Sequence, residues 1–138
     1  MTAPSPLRLP AVAVVAVGGA VGALLRHALT TAFPDVSGGF PWTVLAVNVV
    51  GCALLAALPA SAVVRRHPLL SPLLGAGVLG GFTTLSAYGE QARALAAGGH
   101  DALAAAYVLG TLAACLVAVR TVRRLAPAPR APGQEEAR

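Results

Sequence analysis

The sequence predicts an all-α membrane protein with four transmembrane helices, on three observations. Of 138 residues, 57% are hydrophobic and only 11% are charged, whereas a soluble domain carries about a quarter charged residues. Charge is absent from four runs, Leu9–Leu25, Val36–Val64, Pro68–Gly89 and Ala102–Val119, which hold 17, 29, 22 and 18 residues. A helix of roughly 17–25 apolar residues crosses about 30 Å of hydrocarbon, so each run is long enough to span. The basic residues are ten arginines and no lysine, and most of them stand at the ends of these runs.

The elements follow in order. Residues 1–8 form a proline-containing leader, and the transmembrane domain occupies 9–125, with spans at about 9–29, 42–64, 69–89 and 102–119. The first span carries Gly18-Gly19-Ala20-Val21-Gly22-Ala23. A secretory signal peptide begins in a similar way, but three further spans follow this one. Trp42 opens the second span at a depth that suits tryptophan, and Arg65-Arg66 stop it.

The third span is expected to break near Gly80–Thr84. Two adjacent glycines and then two β-branched hydroxyl residues weaken a helix, through backbone entropy and through competition for backbone hydrogen bonds. Such a break is tolerated in a membrane only where its freed carbonyls are buried in protein or satisfied by an ion or water. The fourth span ends in Arg120, Arg123 and Arg124, and the proline- and alanine-rich residues 126–138 read as a disordered tail.

With four spans, both termini and the central loop share a side. That side holds Arg8, Arg65, Arg66, Arg120, Arg123, Arg124, Arg130 and Arg138, against Arg26 and Arg93 opposite. The bias predicts a multi-pass protein of the cytoplasmic membrane with both termini cytoplasmic.

Several classes are disfavoured. The formal charge of +5 flanks apolar spans without exposed aromatics between, so lipid headgroups explain it better than nucleic acid. Cys52 and Cys115 both fall inside apolar runs, which supports neither a disulfide framework nor a zinc site. No nucleophile–base pair or metal cluster can be assembled, so an enzyme is not expected.

What the spans do hold is neutral hydrogen-bonding groups. Asn48 is a lone amide among apolar neighbours; it either glues helices together or offers its two N–H donors to a desolvated acceptor. Tyr107, Thr111 and Cys115 recur every four residues and share one helix face. Gly18 with Gly22 and Gly77 with Gly81 have the small-xxx-small spacing of close helix contacts.

Three segments carry a resemblance. Gly77-Val78-Leu79-Gly80-Gly81-Phe82-Thr83-Thr84-Leu85-Ser86-Ala87-Tyr88, the glycine run that leads to Arg26, and Val47-Asn48-Val49-Val50-Gly51 together resemble the CrcB/Fluc family of fluoride channels. The resemblance covers about Val12 to Val119. It implies an antiparallel dimer with two fluoride pathways and a structural Na+ at the dimer centre, held by the backbone carbonyls of Gly80 and Thr83. The fluoride path would use Asn48, Leu85, Ser86, Tyr88, Tyr107 and Thr111, with Arg26 as an anion vestibule or an interface anchor. The chemistry agrees, because a small, strongly hydrated anion needs close neutral donors and the positive edges of aromatic rings in place of water. A fixed full charge in the pore would trap it.

The chain departs from the family pattern at two places. Leu85 stands where a phenylalanine is usual, and Tyr88 replaces a second one three residues on. Val44 stands where a threonine is common. Together with the arginine bias, these departures favour pairing with an oppositely oriented paralogous subunit over pairing with a second copy of the chain, and both remain as readings of the partner. The competing readings are a non-conducting structural partner subunit and a small multidrug-type antiporter. The antiporter should hold an acidic residue inside the first span, and none is there.

Overall fold

The computed structural model describes residues 9–126, so the leader and nearly all of the expected tail lie outside the described residues. Within them the chain is all helical, and four helical segments are long and apolar enough to cross a membrane: Pro10–Ala32, Trp42–Ala60, Leu70–Ala97 and Asp101–Leu125. Most of each helix surface is exposed in the isolated protomer, as expected of helices that face lipid or a second subunit.

Helix α1 (Leu9–Ala32) is one continuous rod. Helix α2 (Trp42–Ala57) tightens into a 3₁₀ turn, Leu58–Ala60, around Pro59. A short helix α3 (Ala62–Arg66) then starts from Ser61, whose hydroxyl accepts the Val64 N–H at 3.4 Å. The Arg65 guanidinium donates to the carbonyls of Pro59 and Ala60 at 3.0 and 2.9 Å. It thus places a cation on carbonyls that a helix end leaves without partners.

The third span is built of four pieces. Helix α4 (Leu70–Pro72) leads into a π-helical turn, Leu73–Leu79, and then into α5 (Gly80–Phe82). After an extended pair, Thr83-Thr84, helix α6 (Leu85–Ala97) resumes. The break falls within the predicted segment, but the glycines themselves stay helical and the threonines leave the helix. The π turn has no counterpart in the sequence reading. Helix α6 runs on beyond Gly89, and Glu90 and Arg93 pair with each other on its exposed face at 2.6 and 2.9 Å. Helix α7 (Asp101–Leu125) likewise continues through Arg120, Arg123 and Arg124, with Asp101 in its first turn and two of these arginines in its last. Both placements suit the helix dipole.

Close packing of α1 on the third span uses the predicted glycines. A β-carbon on Gly22 would strike the Val78 carbonyl oxygen and lie 2.7 Å from Phe82 N, and one on Gly81 would strike the Gly19 backbone. Helix α7 packs on α2 and α6. A small core of Leu95, Ala104 and Tyr107 forms there, covered by Phe40, Leu45 and Tyr88. The loop after α1 reaches this core, with Gly38 at φ +73° beside the His100 ring.

Candidate functional site

The break in the third span is held by a side chain from α2. Asn48 Oδ1 accepts the Thr84 N–H at 2.8 Å, and Asn48 Nδ2 donates to the Thr84 carbonyl at 3.1 Å, with both residues buried. The amide therefore replaces, at one residue, the pairing that the helix loses. One of its two N–H groups remains. The Thr83 methyl packs against Gly51, one turn beyond Asn48 on α2, where a β-carbon would strike it.

Several carbonyls, those of Gly80 and Thr83 among them, lose their helical donors at the break. In a continuous helix the Thr84 N–H would bond the Gly80 carbonyl and the Ala87 N–H the Thr83 carbonyl. The first goes instead to Asn48, and the second to the Thr84 hydroxyl at 3.1 Å. These two are the carbonyls that the resemblance implies as Na+ ligands. Gly80 and Thr83 line a hollow open at the protomer surface, with Leu55, Ser71 and Gly75 around them. Next to them the Arg26 Nε donates to the Gly81 carbonyl at 3.3 Å. Arg26 thus lies against the negative end of the half-helix.

The remaining predicted residues divide between two places. Ser86 sits at the break, its hydroxyl 3.2 Å from that of Thr84. Leu85 is 81% exposed and turned out of the protomer. Tyr88 and Tyr107 meet on the other side of α6, their ring centroids 5.3 Å apart, and Phe40 stands edge-on to Tyr107 at 5.5 Å. The Tyr88 hydroxyl donates to the Val108 carbonyl at 2.8 Å. The Tyr107 hydroxyl donates to Gln91 Oε1, also at 2.8 Å. Thr111, one turn along α7, is 4% exposed, and its hydroxyl is the one buried side-chain N or O atom among the described residues that has no partner. Most buried polar groups are paired, so this hydroxyl is an exception among the described residues.

The sequence reading missed Gln91, Asp35 and Phe40. Gln91 follows Tyr88 by three residues on α6, a spacing that puts both on one face. That was the available signal. Asp35 and Phe40 lie in a loop, and nothing local ties them to Tyr107.

The three segments on which the resemblance rested meet at the break, where the amide of Asn48 clamps Thr84 and the glycines of α1 meet the third span. The family model described as CrcB-like protein, Camphor Resistance (CrcB), matches residues 13–122. The chain belongs to the CrcB family. Among its relatives, a Streptomyces coelicolor protein named fluoride-specific ion channel FluC 1 is 46% identical over 112 residues, covering 80% of this chain and 73% of that one. A Nocardia farcinica protein named fluoride-specific ion channel FluC 2 is 41% identical over 125 residues, 86% of this chain and 89% of the relative. A Streptomyces avermitilis protein of that name is 48% identical over 105 residues, 75% of this chain and 66% of its own length, so the match spans just under two thirds of that relative. Streptomyces avermitilis also has a FluC 3, 41% identical to this CrcB-family chain over 116 residues.

Proposed function

We propose that this chain is a subunit of a fluoride-selective channel, and no enzyme, that lets cytoplasmic fluoride leave the cell down its electrochemical gradient. One observation carries the reading: the buried, unpartnered hydroxyl of Thr111, on the same helix face as Tyr107. Neutral donors of this kind can replace the water of a dehydrated fluoride without trapping it. Asn48 keeps one N–H beyond its clamp, and the Tyr88 and Tyr107 rings offer positive edges.

The Gly80 and Thr83 carbonyls are the ligands for a structural Na+ in this reading. What supports it is the loss of both helical donors and the position of these residues on an open surface hollow. Carbonyls freed by a broken membrane helix are hard oxygen ligands suited to an alkali cation. The ion would neutralise the carbonyl ends of the half-helix where a second subunit meets it.

The partner is an oppositely oriented paralogue. Support comes from the arginine bias and from the existence of FluC 2 and FluC 3 in one relative's organism. Fluoride efflux from liposomes tests this directly, with the chain alone and with a co-reconstituted paralogue. Efflux only from the pair is expected. Efflux from the chain alone refutes obligate pairing, and none in either case refutes the channel reading.

Leu85 and the buried Val44 favour a second reading, a subunit that shapes the channel without conducting through its own residues. Leu85→Phe with Val44→Thr distinguishes the two. A rise in flux of the pair means that these positions line a working path.

A further inference from the structure

Asp35 stands in the loop between α1 and α2, outside every role given above. Its oxygens have separate partners. Oδ1 accepts the Thr43 N–H at 3.0 Å in the first turn of α2, and Oδ2 accepts from Gln91 Nε2 at 3.4 Å. A carboxylate only accepts, so it decides which end of the Gln91 amide faces it. The other end, Gln91 Oε1, then faces Tyr107 and accepts the phenolic proton at 2.8 Å. Tyr107 has a single proton to give.

The Tyr107 ring is held so that its oxygen stays within reach of Gln91 Oε1. It is 0% exposed, with Phe40 edge-on at 5.5 Å and Tyr88 at 5.3 Å. Two hydroxyls one turn apart on α7 are therefore in opposite states. The proton of Tyr107 is committed to the protein, and that of Thr111 is free.

We propose that Asp35 is a positioning residue for the anion path: acting through Gln91, it withholds the Tyr107 proton from a passing anion and leaves Thr111 as the hydroxyl that donates. The proposal rests on the fluoride reading. Its consequence is kinetic. Conduction needs each site to hold an ion weakly enough to release it, and a second free donor one turn away would deepen the well.

Asp35→Asn tests the relay. The amide keeps an oxygen for the Thr43 N–H but turns an NH2 group toward Gln91. The Gln91 amide then turns over, offers its own NH2 to the Tyr107 oxygen, and frees the phenolic proton. The first measurement needs no fluoride. In a Tyr88→Phe background, the tyrosine Fermi doublet in the ultraviolet resonance Raman spectrum of the purified protein reports the hydrogen bonding of Tyr107 alone. The doublet is expected to move from donor to acceptor character in Asp35→Asn and to stay as in the parent in Asp35→Glu, which retains an acceptor-only group. An unchanged doublet in Asp35→Asn overturns the proposal.

The second measurement is fluoride efflux from liposomes containing the chain and its paralogue. Half-saturating fluoride should fall about threefold to tenfold, the value of one added neutral hydrogen bond, and the maximal rate should fall with it. In a Tyr107→Phe background the shift should vanish. A shift of equal size there overturns the proposal, because Asp35 would then act by another route. If the unmodified pair passes no fluoride, the channel reading fails, and the Raman experiment still decides the relay.

Discussion

Asn48 and Thr84 stand 36 residues apart in the chain and hold each other by two hydrogen bonds, Thr84 N–H to Asn48 Oδ1 at 2.8 Å and Asn48 Nδ2 to Thr84 O at 3.1 Å. One buried amide therefore takes over the backbone pairing of a residue that has left its helix. It fixes where the third span breaks and where its carbonyls become available.

Asn48→Ala should cost about 2–4 kcal/mol, because it leaves a buried N–H and a buried carbonyl without partners. Asn48→Asp keeps the acceptor but removes the donor and buries a charge, so it should be no milder. Thermal unfolding in detergent measures both. Unfolding of Asn48→Ala at the wild-type temperature would show that Thr84 finds other partners and that the amide is not the clamp.

The clamp also shows how far the sequence was legible. The four spans could be read because charge-free runs report membrane depth directly. Thr83-Thr84 could be read as a weak point because glycine and β-branched residues act locally on the backbone. Asn48 stood out as a lone amide, yet its partner could not be read, since no local signal links positions 36 residues apart. The π turn at Leu73–Leu79 stayed hidden because no residue pattern in that segment marks it, although it lies close against the backbone of α1. Asp35 lies in a loop and Gln91 follows Glu90 just past the charge-free third run, where polar residues are ordinary, and only the fold joins them to Tyr107.

The glycines of α1 are expected to separate by face. Gly22→Ala puts a methyl into the Val78 carbonyl and close to Phe82 N, a backbone that cannot give way as a flexible side chain could. It should destabilise by about 1–3 kcal/mol. Gly19→Ala meets nothing within 4 Å and should be neutral or stabilising by about 0.5–1 kcal/mol, since alanine suits a helix interior better. The difference in unfolding temperature between these neighbouring variants is the measurement. Equal losses would mean that α1 seats on the third span through another face.

Thr111 should show opposite changes in stability and activity. Thr111→Val removes a buried hydroxyl that has no partner and keeps the side-chain shape. The folded state should gain about 1 kcal/mol or lose nothing, because the unpaired group was a desolvation cost. Fluoride efflux of the reconstituted pair should fall, while Thr111→Ser, which keeps the hydroxyl, should retain most of it. A variant that loses stability and flux together would instead mark Thr111 as a packing residue.

Orientation can be tested by moving charge, provided the arginines chosen have no structural partner to lose. Arg65 is unsuitable, because its guanidinium caps the Pro59 and Ala60 carbonyls at the end of the second span and its loss would disturb folding as well as topology. Arg66, Arg120 and Arg123 are exposed. A protease site added after Arg138 should be protected in intact cells and cut in inverted membrane vesicles if both termini are cytoplasmic, as the arginine bias predicts. Replacing Arg66, Arg120 and Arg123 with glutamine should shift part of the population to the opposite orientation. A near-equal mixture in the unmodified protein would remove the topological reason for pairing with a paralogue, since a chain that inserts both ways can supply its own antiparallel partner.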